Sequence, residues 1–120
     1  MSAHIAEAII ITCIDFRFQE YINKWIGSNL KPGAYDRGAF AGAAKSLETI
    51  LNQIDVSYRL HHIKKAVLIN HEDCGAYGED GHIDRHVEDL QKARKHIMEK
   101  IPDLEVETYY LHLDGTFEKV

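Results

Sequence analysis

Two short stretches of this chain are too apolar to show either face to water. Ala8, Ile9, Ile10, Ile11, Thr12 and Cys13 form one near-continuous run, and Ala66, Val67, Leu68, Ile69 and Asn70 form another. Neither alternates as a strand with one wet face would. Such runs read as strands covered on both sides, a state that parallel sheets reach because their crossover helices lie on the faces. The segments between and after them carry the helical period. Residues 15–30 place Phe18, Tyr21, Ile22, Trp25, Ile26 and Leu30 three and four apart, which predicts a helix ending near Gly27 to Asn29. A turn follows at Lys31-Pro32-Gly33, and a weakly encoded strand is expected over residues 34–39. A second helix is expected from Gly42 to about Ser57, with Ala43, Leu47, Ile50, Leu51 and Ile54 in one stripe. A third runs over residues 84–100, lined by Val87, Leu90, Ile97 and Ile101 and stopped by Pro102. Residues 104–113 make a last strand before an Asp114-Gly115 turn. Strands and helices alternate throughout. That order predicts an α/β fold with a mostly parallel sheet of four to five strands and helices on both faces.

Composition narrows the function. At 120 residues, 45% hydrophobic and 28% charged, the chain reads as a single domain over residues 1–120. Fourteen basic against nineteen acidic side chains give −5, with no basic cluster, so nucleic acid and anionic membranes are not expected partners. No apolar run approaches the roughly 20 residues of a membrane span, and no export signal precedes the first strand, so a cytoplasmic setting is expected. The two cysteines, Cys13 and Cys74, are too few for a disulfide scaffold. They read as thiols for metal or catalysis.

Ligands in doubly wound sheets sit outside the carboxyl ends of the strands. The first buried run leads directly into Cys13-Ile14-Asp15-Phe16-Arg17, and the second into His71-Glu72-Asp73-Cys74-Gly75. If the two strands are neighbours, two thiolates, one imidazole and one carboxylate converge: Cys13, Cys74, His71 and Asp15. Those are the ligand types and the count that Zn²⁺ takes, whereas Mg²⁺ and Ca²⁺ want oxygen. The bland alternative is a buried Cys13 acting as a small hydrophobe and a surface His71.

Cys13-x-Asp15-x-Arg17 followed by His71-x-x-Cys74-Gly75 resembles the β-class carbonic anhydrases. The Pro32-Gly33 turn, the small-residue helix with Ser46-Leu47-Glu48, and the closing strand and turn around Asp114-Gly115 are similar to that family too. The resemblance implies a zinc lyase in which Cys13, His71 and Cys74 bind the metal and zinc-bound hydroxide reversibly hydrates carbon dioxide to bicarbonate. Asp15 would take the fourth position in a closed state and leave it in an open one, with Arg17 holding it away by a bidentate salt bridge. Asp15 and Arg17 are therefore the expected catalytic pair. The family's Arg-Asn-Ala-Gly-like segment reads Arg37-Gly38-Ala39-Phe40 here, so Phe40 is expected to narrow the pocket. That raises two alternatives: the same site acting on carbonyl sulfide or carbon disulfide, or a non-catalytic zinc module closed by Asp15. Only residues 1–7 precede the first strand, so the family's N-terminal arm is expected to be missing. Trp25 and an exposed sheet edge still suggest at least a homodimer.

Other signals favour ordinary roles. Cys13 to Arg17 lacks the spacing of a cysteine phosphatase cradle, no C-x-x-C is present, and residues 38–46 fail the P-loop spacing. His82 and His86 are expected on a solvated helix face. His61 and His62 are placed in a loop and His112 in a strand, none with an evident partner. Tyr109 and Tyr110 should pack the sheet, and Trp25 either the core or a subunit interface.

Overall fold

The structure, a computed structural model, describes residues 4–120, with His4 exposed. Five strands form one sheet: β1 (Ala8–Thr12), β2 (Tyr35–Ala39), β3 (Lys65–His71), β4 (Glu105–Leu111) and β5 (Phe117–Lys119). Their order across the sheet is β2-β1-β3-β4-β5. The first four run parallel, and β5 returns antiparallel on β4. Three helices cover the sheet: α1 (Gln19–Asn29), α2 (Leu47–His61) and α3 (Ile83–Lys100).

Side-chain alternation on the two central strands explains the layering. Ile9 and Ile11 of β1 and Ala66 and Leu68 of β3 face one way, into a core with Ile50 and Ile54 of α2 and Leu90, Ala93 and Ile97 of α3. Ala8, Ile10, Val67 and Ile69 face the other way, onto Ile22 and Ile26 of α1. Both faces of these strands are dry, which is why neither run alternates. Right-handed crossovers put α1 on one face, because β2 lies on one side of β1, and α2 and α3 on the other, because the chain then moves toward β3 and β4. The direction of winding therefore reverses between β1 and β3. That reversal opens the crevice in which such folds hold ligands.

Several expected boundaries move. The first helix is preceded by a tight turn at Phe16–Phe18, because the Asp15 side chain accepts a hydrogen bond from the Arg17 backbone N–H at 2.9 Å. The second helix starts at Leu47, after a separate short turn at Ala43–Lys45, and runs on to His61. His61 is thus helical rather than in a loop, and it has a partner: its Nδ1 lies 2.6 Å from the Asp36 carboxylate on β2. His112 lies just past the end of β4, not in a strand, with its Nε2 3.2 Å from Glu118. The expected last strand ends two residues early, at Leu111, so that the Asp114-Gly115 turn can bring β5 back beside it. Trp25 packs within the fold, 5.3 Å from the Tyr109 ring and 5.8 Å from that of Phe117.

Candidate metal centre

The winding reversal sets the ends of β1 and β3 side by side, with Ile11 opposite Leu68. β1 stops at Thr12 and hands over to Cys13, while β3 continues to His71. Asp73 then adopts a left-handed backbone (φ +57°), one of the few residue types that tolerates it, and the chain turns back to Cys74. The ligand atoms of Cys13, His71 and Cys74 all lie within 4.8 Å of one another, and all three residues are buried. The two sulfurs are 3.9 Å apart, too far for a disulfide bond.

The imidazole is set up as an acceptor. His71 Nδ1 donates to the Glu72 carbonyl at 2.7 Å, and because a carbonyl only accepts, the neutral ring carries its lone pair on Nε2. Nε2 is buried and has no hydrogen-bond partner among the described residues. Phe18 fixes the ring plane from one side, with ring centroids 4.2 Å apart. Such an unpartnered group costs about 1–3 kcal/mol when nothing fills its place. A divalent, borderline-soft cation fits this set of two sulfurs and one imidazole lone pair.

The two sulfurs are placed to share a proton. The hydrogen bond from Cys74 is the main reason that the Cys13 thiol is held well below the usual thiol range against the effect of burial, with help from the Gly42 N–H at 3.4 Å. The Cys74 thiol is pushed far up by giving that bond and by burial beside a negative sulfur. A bound cation would take over the work of the shared proton. Gly42 is a required glycine: its φ is +80°, and an added Cβ would stand 3.0 Å from that of Lys45 and 3.2 Å from that of Ala76.

Asp15 lies beside this trio. Its Oδ2 is 3.8 Å from His71 Nε2, but the carboxylate is turned into the Arg17 fork, with Nε to Oδ1 at 3.1 Å and Nη2 to Oδ2 at 2.7 Å. The Arg17 hydrogen bonds hold the carboxyl at about 2, so it is ionised at any ordinary pH. Arg17 also reaches across to the other strand end. Its Nη1 donates to Asp73 Oδ2 at 3.0 Å and its Nη2 to the Asp73 carbonyl at 2.9 Å. Gln19 supports the same loop, donating to the carbonyls of Asp15 at 2.9 Å and Cys13 at 3.3 Å. Arg37 in turn donates to Gln19 Oε1 at 3.0 Å. The Phe40 ring sits over Gly38 and packs against the α2-side core; an added Cβ on Gly38 would meet it at 2.9 Å. Asp73 and Gln19 escaped the sequence reading. The only hint of Asp73 was its place inside the His71 to Cys74 turn.

Behind Cys74 lies a second polar cluster. Asn70 takes the Ala44 N–H on its Oδ1 at 3.1 Å and points its Nδ2 at Tyr77 Oη (2.9 Å) and His86 Nδ1 (3.0 Å). Tyr77 donates to Asp89 at 2.7 Å. His86 is therefore not on a solvated face: it is fully buried, while His82 is exposed. The helical stripe 86, 90, 93, 97 carries it inward.

The fold and the strand-end cluster together define a β-carbonic-anhydrase-like α/β protein. A family model described as "Putative carbonic anhydrase" matches residues 3–120, and the chain belongs to that family. An uncharacterized protein of Rickettsia bellii is 31% identical over 134 aligned residues, covering 96% of this chain and 82% of the relative. Among solved structures, the carbonic anhydrase of Streptococcus mutans aligns over 100% of this chain and 86% of its own, with a TM-score of 0.70 at 14% identity. The β-carbonic anhydrase of Trichomonas vaginalis gives 0.69 at 18% identity, over 99% and 86% of the two chains. A carbon disulfide hydrolase gives 0.62 at 12%, over 98% and 79%. Among the described residues no helix is long and apolar enough to cross a membrane.

Proposed function

We propose that this protein is a zinc enzyme that reversibly hydrates carbon dioxide to bicarbonate. Cys13, His71 and Cys74 would hold the zinc, and Asp15 would join them only when it leaves Arg17. The observation that carries this reading is the convergence of two sulfurs and a buried, unpartnered imidazole lone pair within 4.8 Å. Bound there, zinc supplies the Lewis acidity that makes a water molecule nucleophilic near neutral pH.

The rest falls to the chain's own groups. The Asp15 carboxylate, kept ionised by Arg17, can accept a hydrogen bond from the nucleophilic water and orient it. The Glu72 carbonyl and the Phe18 ring hold the imidazole in one tautomer and one plane. Ile14 and Phe16, which flank Asp15, are 62% and 85% exposed and present apolar surface to a small uncharged substrate. That same surface supports a second reading, hydrolysis of carbonyl sulfide or carbon disulfide, which sulfide release would reveal. It is also available to a second copy of the chain, and a cytoplasmic homodimer forms part of this reading.

Zinc analysis combined with stopped-flow carbon dioxide hydration tests the reading. One zinc per chain and hydration well above buffer are expected. Cys74→Ala should lose both, and Asp15→Ala should keep the zinc but lose most turnover. Zinc-loaded protein that hydrates carbon dioxide no faster than buffer overturns it.

A further inference from the structure

Arg17 is shared between two loops. Of its polar contacts, those from Nε and one from Nη2 go to the Asp15 carboxylate, while Nη1 and a second bond from Nη2 go to Asp73. The left-handed backbone of Asp73 turns both its carbonyl and its carboxylate toward the same guanidinium. Asp tolerates that region better than most non-glycine residues, and the two bonds to Arg17 hold it there. Arg17 is itself partly open to solvent, with 39% of its side chain exposed, and a long, solvated side chain resists being fixed in one rotamer. The bonds from Asp73 remove that freedom before Asp15 is engaged.

We propose that Asp73 is a positioning residue: it latches Arg17 across the crevice, so that Arg17 in turn keeps the Asp15 carboxylate turned away from Cys13, His71 and Cys74. The proposal rests on the reading of that trio as a zinc site. Asp73 thereby sets how often the fourth metal position is free for an exchangeable ligand rather than taken by Asp15. The two carboxylates repel each other, but Asp73 is 70% exposed and its charge is screened by water and salt. The loss of rotamer freedom that it imposes on Arg17 is not screened. Removing the Asp73 side chain should therefore loosen Arg17 and let Asp15 close the site.

Azide binding to cobalt-loaded protein, followed by its visible spectrum, reads the free position without any turnover. In Asp73→Ala the azide dissociation constant should rise about fivefold, the scale of one exposed ion pair. Asp73→Asn, which keeps a hydrogen-bond acceptor, should stay within about twofold of wild type. In an Asp15→Ala background, where nothing can close the site, adding Asp73→Ala should leave azide affinity unchanged. Unchanged affinity in Asp73→Ala alone, or an equal loss in the Asp15→Ala background, overturns the latch and leaves the zinc reading standing. A wild-type chain that takes up no cobalt or zinc overturns the zinc reading, and the latch falls with it.

Discussion

Two buried imidazoles lie at neighbouring points of this fold, and each has one ring nitrogen without a partner among the described residues, His71 Nε2 and His86 Nε2. They are opposites. His71 gives its Nδ1 proton to a carbonyl, so its orphan nitrogen is a lone pair next to two sulfurs. His86 receives at Nδ1 a hydrogen from Asn70, whose orientation is fixed by the Ala44 N–H on its oxygen, so its orphan nitrogen is an N–H donor. It sits between the rings of Tyr77 and Tyr110, with centroids at 3.9 and 5.2 Å. The nitrogen that does have a partner decides what the other can do. One histidine is prepared to bind a cation; the other serves packing.

The sharpest way to break this contrast is to truncate each ring. His71→Ala should drop metal content from one zinc per chain to less than a tenth of that, while His86→Ala keeps its zinc. The second variant should instead lose about 2–4 kcal/mol of stability, from the cavity and from the Asn70 N–H left without an acceptor. Metal analysis and denaturant titration of both variants decide the matter. Zinc lost from His86→Ala, at a stability that leaves the chain folded, would show that the two clusters are one.

Acid should separate them next. Burial, followed by the neighbouring His71, lowers His86 to about 4. A histidine with a depressed value stays neutral in the folded chain while its unfolded counterpart, ordinary at about 6.5, takes up a proton. Its contribution is complete above pH 6.5, is lost as the pH falls from 6.5 toward 4, and changes no further below that. The full loss approaches roughly 3 kcal/mol. Loss of metal in acid would add to the slope in wild type and in His86→Leu alike, so the difference between their stability profiles isolates the ring. Parallel profiles would show that His86 does not titrate this way.

What could be read beforehand divides along the same line. The convergence of Cys13, His71 and Cys74 was legible because Cys13 and His71 follow directly on runs so apolar that only doubly covered strands explain them, with Cys74 in the turn just beyond, and strand ends in wound sheets are where ligands gather. His86 was misjudged although the signal existed: 86 falls four before Leu90 and seven before Ala93, in register with the buried stripe. Reading only apolar residues favoured Val87 over its neighbour. His61 with Asp36, and Arg17 with Asp73, pair residues 25 and 56 positions apart. No local period encodes such contacts; they exist only once the sheet order is known. The antiparallel return strand beyond the Asp114-Gly115 turn was not legible, because three residues, Phe117–Lys119, are too few to announce it by pattern.

Tyr77 joins the two clusters and gives the smallest and most exacting test. Its hydroxyl donates to Asp89 at 2.7 Å and accepts from Asn70 at 2.9 Å, and burial with the Asp89 charge keeps it protonated. Its backbone, by contrast, belongs to the metal side, where its N–H closes the Cys74 turn onto the Cys74 carbonyl at 3.1 Å. Tyr77→Phe removes the first role and leaves the second intact. Asp89 still has Arg85 at 3.4 Å, and Asn70 still has His86 and Ala44, so only one donor and one acceptor lose a partner. The expected loss is about 1–2 kcal/mol in denaturant titration, with zinc affinity within about twofold of wild type, measured by competition with a chelating dye. A tenfold weaker affinity at that same modest loss of stability would mean that the hydroxyl helps place the Cys74 sulfur, and that the polar cluster behind it is part of the metal site after all.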